Sequence, residues 1–192
     1  MGLPNLLTLF RVVLIPVLVL IFILPFRWAH PAAAIIFVAA AVTDWLDGFM
    51  AWRLDQGSRF GAFLDPVADK LLVATALVLI VMASPQAWIA IPALIIIGRE
   101  IAISALREWM AGVGATGVLA VSWAGKVKTA VQMAAIALLL YGHALADMPL
   151  YLIGLALLYV ATTLTVFSMC LYLRSAWPRL RTGGHREEPG EL

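Results

Sequence analysis

Charge is scarce in this 192-residue chain: 12% of its residues are Asp, Glu, Lys or Arg, against about 25% in a typical soluble domain. That shortage excludes an ordinary water-soluble globule, which needs a charged surface around its core. Thirteen basic against eleven acidic side chains, net +2, also leave no strong overall field. The cationic residues form no stripe interleaved with polar surface, so no nucleic-acid partner is expected. Cysteine is nearly absent. The single Cys170 lies in an apolar run, which rules out an internal disulfide and a thiolate metal cluster. His30, His143 and His185 are scattered, with no partner at ligand spacing, so a histidine metal site is not expected either. The first apolar run, starting near Leu6, lacks a basic n-region and an Ala-x-Ala-like cleavage site. It reads as a retained helix and not as a signal peptide.

What the chain has instead is apolar sequence: 64% of residues, with a mean hydropathy of +1.00. A membrane-spanning helix needs about 20 mostly apolar residues. Candidate spans run roughly over 7–26, 32–52, 61–82, 87–107, 126–143 and 150–173. Breakers separate them at Pro25 to Pro31, Asp55 to Gly57, Ser84-Pro85, Gly112 to Gly117 and Asp147 to Pro149. The expected fold is therefore all-α and polytopic, with about six transmembrane helices. Residues 1–174 form the membrane domain and residues 175–192, rich in Gly and charge, a polar cytoplasmic tail. If the chain crosses six times, all Lys and Arg except Arg27 fall toward one side. The positive-inside rule makes that side the cytoplasm and places both termini there.

The chemistry concentrates in Thr43-Asp44-Trp45-Leu46-Asp47-Gly48-Phe49-Met50-Ala51 and in Gly61-Ala62-Phe63-Leu64-Asp65-Pro66-Val67-Ala68-Asp69. Asp44 and Asp47 are three apart, Asp65 and Asp69 four apart, so on helices each pair shares a face. The short polar link between the two spans makes them antiparallel neighbours, with four carboxylates converging near the cytoplasmic end. Each charge within a membrane helix costs about 2.5–3.5 kcal/mol on insertion scales, and like charges add repulsion. Bound cations offset both costs. Oxygen-only ligands suit a hard ion, Mg²⁺ or Mn²⁺, and four carboxylates can hold two, an arrangement used in phosphoryl chemistry. Gly48, Ala51 and Gly61 would let a bulky substrate approach the backbone.

The block resembles the signature of the CDP-alcohol phosphatidyltransferase family, Asp-x2-Asp-Gly-x2-Ala-Arg-x8-Gly-x3-Asp-x3-Asp. It matches at Asp44, Asp47, Gly48, Ala51, Gly61, Asp65 and Asp69. Trp52 stands where the family has arginine, and Arg53 follows it. Two readings remain: Arg53 reaches the substrate phosphates by its long stem, or Trp52 faces lipid at the interface. The resemblance implies that Asp44, Asp47, Asp65 and Asp69 ligate two metal ions, with Asp69 also the base that takes the acceptor's hydroxyl proton. It implies a nucleotide and CDP-lipid site at Thr43, Gly48, Ala51, Arg53 and Gly61.

Intramembrane cations point to function. Arg99 and Glu100 lie late in the fourth span, Arg107 eight residues on, and Lys126 and Lys128 open the fifth. Arg99, Arg107 and Lys126 are expected to form a phosphate pocket for the acceptor. Lys128 reads as a snorkelling anchor, Glu100 as a partner that orients the arginines, and Glu108 either as a second such partner or as a surface residue.

The wider resemblance spans nearly the whole chain. It includes Pro4 to Arg11, Arg59 to Asp65, Arg99 to Ile101, Ala105 to Trp109 and Val121 to Lys128, and it is to the branch that uses glycerol 3-phosphate as acceptor. It implies CDP-diacylglycerol as donor, surrounding membrane lipids and a homodimer. It also implies a bacterial inner-membrane location with the active site facing the cytoplasm. Another acceptor, such as inositol phosphate, serine or phosphatidylglycerol, is the alternative. Pro4 to Arg11 would form a short interfacial segment, with Arg11 near the nucleotide.

Other features are weaker. Gly112 to Gly117 fits G-x-G-x-x-G, but no strand precedes it and no acidic residue follows at the spacing a dinucleotide site requires. Ser104 and Ser122 lack a histidine that would complete a nucleophilic triad. Seven tryptophans, mostly near span ends, read as an aromatic belt. A cation transporter would place its acids near midplane in two repeated halves, and no internal repeat is seen. A non-catalytic scaffold, disabled at Trp52, is the remaining rival.

Overall fold

The structure, a computed structural model, describes residues 3–54, 59–112, 123–145 and 148–181; side chains at 3–6, 45–54, 59–63, 65, 123–126, 143–145, 148, 175–176 and 178–181 lie outside that description. The described residues form six helices. These are α1 (Leu3–Phe22), α2 (Ala29–Leu54), α3 (Arg59–Ala83), α4 (Ala87–Gly112), α5 (Trp123–Leu145) and α6 (Met148–Arg181). The expected all-α, polytopic architecture is what the chain adopts. Among the described residues, three segments are long and apolar enough to cross a bilayer: Pro66–Ala83, Ala87–Gly112 and Pro149–Arg174. Leu7–Phe22, Ala29–Asp44 and Val127–Gly142 are shorter apolar stretches.

Two boundaries differ from the sequence expectation. Pro4 to Arg11, expected as a short interfacial segment, is continuous in one helix with the apolar run that follows and opens α1. Proline is tolerated there because the first turn has no helical partner for its missing N–H. At the other end, α6 runs past Arg174 to Arg181. At 1.5 Å per residue its 34 residues are about 51 Å long, well beyond the ~30 Å of a hydrocarbon core. Position 174 thus ends the apolar run and not the helix. Of the expected tail at 175–192, residues 182–192 lie outside the described residues, as does the glycine-rich segment after Gly112.

The chain runs up and down. Arg11 meets Asp44 and Phe22 meets His30, so α1 and α2 are antiparallel. Tyr159 donates to the Trp88 carbonyl and Arg99 to Ser168, so α4 and α6 are parallel, as every second helix should be. α5 packs most extensively on α6. A Cβ on Gly142 would lie 3.1 Å from the Tyr151 backbone nitrogen, and one on Gly154 3.1 Å from the Leu138 side chain. Small residues at helix crossings give the close approach that substitutes, in lipid, for a hydrophobic drive between helices.

Burial is inverted relative to a soluble protein. Leu94 is 71% exposed, Ile35 67% and Phe167 63%, while Arg11 and Thr165 are fully buried. Exposed large apolar side chains over the whole periphery would drive aggregation in water and are neutral against lipid tails. The interior holds a core of Leu18, Phe37, Leu72, Leu77, Ile96, Ile136 and Leu158. Trp28 and Trp88 are exposed at the starts of α2 and α4, and Trp177 near the end of α6, as an aromatic belt requires.

The crossings at α5 and α6 are testable. Gly142→Ala meets backbone, which cannot yield as a side chain can, and should destabilise by about 1–3 kcal/mol. Gly98→Ala meets nothing within 4 Å and should be neutral. Thermal unfolding of both variants in one detergent checks the contrast.

Candidate active site

The up-and-down path brings the start of α1, the end of α2, the start of α3, the end of α4, the start of α5 and the end of α6 to one end of the bundle. The charged residues of the helices gather there, and the described side chains fall into two groups.

The first lies on α1, α2 and α3. The Arg11 guanidinium, fully buried, holds an Asp44 oxygen at 3.0 Å, and that aspartate remains about a third exposed. A cation on α1 thus compensates a carboxylate on α2. Asp69 on α3 is half-buried. α2 carries Asp44 and Asp47, and α3 carries Asp65 and Asp69, in unbroken helix, so each pair shares a helical face as its spacing requires. Pro66 sits inside α3 between its two acids. α2 and α3 touch, less extensively among the described residues than α2 touches α1 or α5. The Thr43 hydroxyl donates to the Ala39 carbonyl at 2.8 Å, so in this state it is satisfied within its own helix.

The side chains of Asp47, Ala51, Arg53 and Asp65, and the surroundings of Gly48 and Gly61, lie outside the described residues, so the expected four-carboxylate cluster is described only at Asp44 and Asp69. Among the described residues no three His, Cys, Asp or Glu side chains come together. The donor set still suits a hard divalent ion. It consists of carboxylate oxygens, Asp44 is open to approach, and Arg11 already answers a demand for positive charge at this spot.

The second group lies on α4, α5 and α6. Arg99 is 9% exposed. Its guanidinium bonds Glu100 at 2.9 Å and donates to the Ser168 hydroxyl of α6 at 3.1 Å. Lys128 reaches from α5 to the same Glu100 oxygen at 3.0 Å. Here the sequence reading is corrected: Lys128 is 4% exposed and clamped to an acid, so it is not a snorkelling anchor. Its long stem bridges α4 and α5, whose backbones make no close contact among the described residues. Arg107 stands with Arg99 against one ring, that of Tyr172 on α6, with guanidinium carbons 5.9 and 5.8 Å from its centroid. Two of the three expected acceptor residues are thereby brought together. The third, Lys126, opens α5 with its side chain outside the described residues. Glu100 bonds Arg99, as expected, and also Lys128, which the sequence did not suggest, while Glu108 is exposed, the surface alternative. Ser104 donates to the Glu100 carbonyl at 2.6 Å, a helix-internal bond that leaves it no nucleophilic role.

Sequence reasoning missed Ser168 and Tyr172. Nothing in the local pattern of α6 marks them, because their partner Arg99 is 69 positions away from Ser168.

The comparisons with known proteins agree on one family. The family model for CDP-alcohol phosphatidyltransferase matches residues 1–175. A Pseudomonas fluorescens protein named CDP-diacylglycerol–glycerol-3-phosphate 3-phosphatidyltransferase is 52% identical, covering 97% of this chain and 96% of its own length. Proteins of the same name from Escherichia coli strain K12 and Shigella flexneri serotype 5b are 55% identical, covering 91% of this chain and 94% of theirs.

The charge cluster on α4 and α5 makes an asymmetric prediction. Glu100→Gln leaves two buried cations without their acid and should cost about 1–3 kcal/mol. Lys128→Met leaves Glu100 still paired with Arg99 and should cost less. Chemical denaturation in detergent, with the double variant to read the coupling, checks the order.

Proposed function

The chain belongs to the CDP-alcohol phosphatidyltransferase family, and from that premise we propose that it transfers the phosphatidyl group of CDP-diacylglycerol to glycerol 3-phosphate. The products are phosphatidylglycerophosphate and CMP, a step of phospholipid synthesis. One observation carries the acceptor assignment: relatives at 52–55% identity over more than nine-tenths of the chain bear the name of that reaction. The paired arginines, Arg99 buried and Arg107 exposed against the same ring, support it from physics, since two neighbouring guanidinium groups are well suited to a phosphate monoester.

The reaction needs a diphosphate neutralised, a hydroxyl deprotonated and two substrates aligned. Asp44, Asp47, Asp65 and Asp69 would hold two divalent ions, Mg²⁺ or Mn²⁺. When bound, these supply positive charge to the diphosphate and make CMP a better leaving group. Thr43, Gly48, Ala51, Arg53 and Gly61 line the nucleotide side, where small residues admit the CDP group close to the backbone. The acyl chains stay in lipid against the apolar periphery. Arg99, Arg107 and Lys126 hold the phosphate of glycerol 3-phosphate and so point its far hydroxyl at the donor. Asp69 accepts that hydroxyl's proton as the oxygen attacks the β-phosphorus. The bond from that phosphorus to the CMP oxygen breaks, and CMP leaves. Positioning and charge stabilisation supply most of the acceleration.

The charged end of the bundle faces the cytoplasm in this reading, with both termini there, because the Lys and Arg side chains collect at that end. The enzyme sits in the inner membrane of a bacterium and works as a homodimer, in line with the family resemblance.

Asp69→Asn should lower turnover by about a hundredfold or more with unchanged thermal unfolding. Near-normal turnover would remove Asp69 from the base role. With purified enzyme and CDP-diacylglycerol, CMP release should follow glycerol 3-phosphate and not inositol phosphate, serine or phosphatidylglycerol. Release with one of those three alone would reassign the acceptor.

A further inference from the structure

Two guanidinium groups that share a pocket repel each other. Arg99 and Arg107 leave the same helix eight residues apart, about 12 Å along its axis. Nothing in α4 itself keeps their heads together. Glu100 neutralises Arg99 but shares its charge with Lys128, and the described contacts give Arg107 no carboxylate partner. What the two arginines have in common is an aromatic ring from another helix. Tyr172 of α6 lies 5.8 Å from the Arg99 guanidinium carbon and 5.9 Å from that of Arg107. A ring face attracts cations through its quadrupole, and more strongly where water is excluded. One turn earlier on α6, Ser168 accepts a hydrogen bond from Arg99 and donates its own proton to the Thr165 carbonyl at 3.0 Å. α6 therefore presents a fixed hydroxyl and a fixed ring to the arginines of α4.

We infer that Tyr172 is a positioning residue for the acceptor: its ring gathers Arg99 and Arg107 so that both can meet one phosphate monoester. This rests on the reading of those arginines as the acceptor pocket. The ring touches neither the proposed donor site nor the acids on α2 and α3 among the described contacts. Its removal should thus act on acceptor affinity and spare both donor affinity and the chemical step. The hydroxyl is not part of the argument. Phenylalanine keeps the ring face and should serve almost as well, whereas leucine keeps only the apolar bulk.

The test is steady-state kinetics of CMP release in mixed micelles, with each substrate varied in turn, for Tyr172→Leu, Tyr172→Phe and Arg107→Ala, all with thermal unfolding in detergent. The expected result is a KM for glycerol 3-phosphate raised about fivefold or more in Tyr172→Leu. Its kcat and its KM for CDP-diacylglycerol should stay at the parent values, and Tyr172→Phe should match the parent. If Tyr172→Leu leaves the acceptor KM unchanged while Arg107→Ala raises it, the pocket stands and the role of Tyr172 is overturned. If Tyr172→Phe is impaired as much as Tyr172→Leu, the ring face is not the cause and the inference fails. If Arg107→Ala itself leaves the acceptor KM unchanged, the pocket reading falls, and the inference with it.

Discussion

A charge taken out of water into a membrane protein must find an opposite charge, and this requirement orders one whole end of the bundle. Arg11 is buried without trace of exposure because Asp44 stands 3.0 Å away. Lys128 is buried because Glu100 answers it, and Glu100 holds Arg99 as well. Two of these ties cross between helices, Arg11–Asp44 from α1 to α2 and Lys128–Glu100 from α5 to α4, while Arg99–Glu100 lies within α4. Elsewhere the helices are held by shape, as at Gly142 and Gly154, since lipid offers apolar side chains nearly as good a home as the interior does. The ion pairs therefore fix which helices face each other at the polar end, while the glycine contacts set how closely they approach.

The same requirement separates two chemistries. Carboxylates dominate α2 and α3, with a single cation from α1 among the described contacts. Cations dominate α4 and the start of α5, with a single acid between them. A reaction that joins a metal-bound diphosphate to an anionic alcohol needs such a division: acids to gather divalent ions, and bases to gather a free phosphate. Both sit at one end of one bundle, so the proposed transfer requires no large rearrangement to bring donor and acceptor to a common depth. Lys128 and Arg99 share one Glu100 oxygen between them.

The helices were legible because their apolar runs are long and their breakers sharp. The Asp pairs were legible because spacings of three and four are local geometry. Arg99 and Arg107 were legible as cations that lipid would not tolerate without a purpose. What local pattern could not supply was contact across the bundle. Lys128 lies two residues from Lys126 in an equally basic stretch, and only the position of α4 shows that it turns inward. Arg11 looked interfacial because its surroundings are weakly patterned, yet α1 continues through it and Asp44 captures it. Tyr172 and Ser168 carry no signal in α6, since an aromatic and a hydroxyl near a helix end are ordinary there. The apolar run of α6 ends near Arg174 as expected, and the helix continues to Arg181 because polarity stops an apolar run without stopping a helix.

In the proposed reaction divalent ions would make the acidic half chemically useful, so their number is the most direct test of the account. Electron paramagnetic resonance of Mn²⁺ titrated into purified enzyme with CDP-diacylglycerol would count them. Two bound ions per chain are predicted, at most one in Asp65→Asn, with CMP release lost on chelation and restored by Mg²⁺. An enzyme that binds no Mn²⁺ above a detergent blank, or that releases CMP at an undiminished rate in excess chelator, would contradict it.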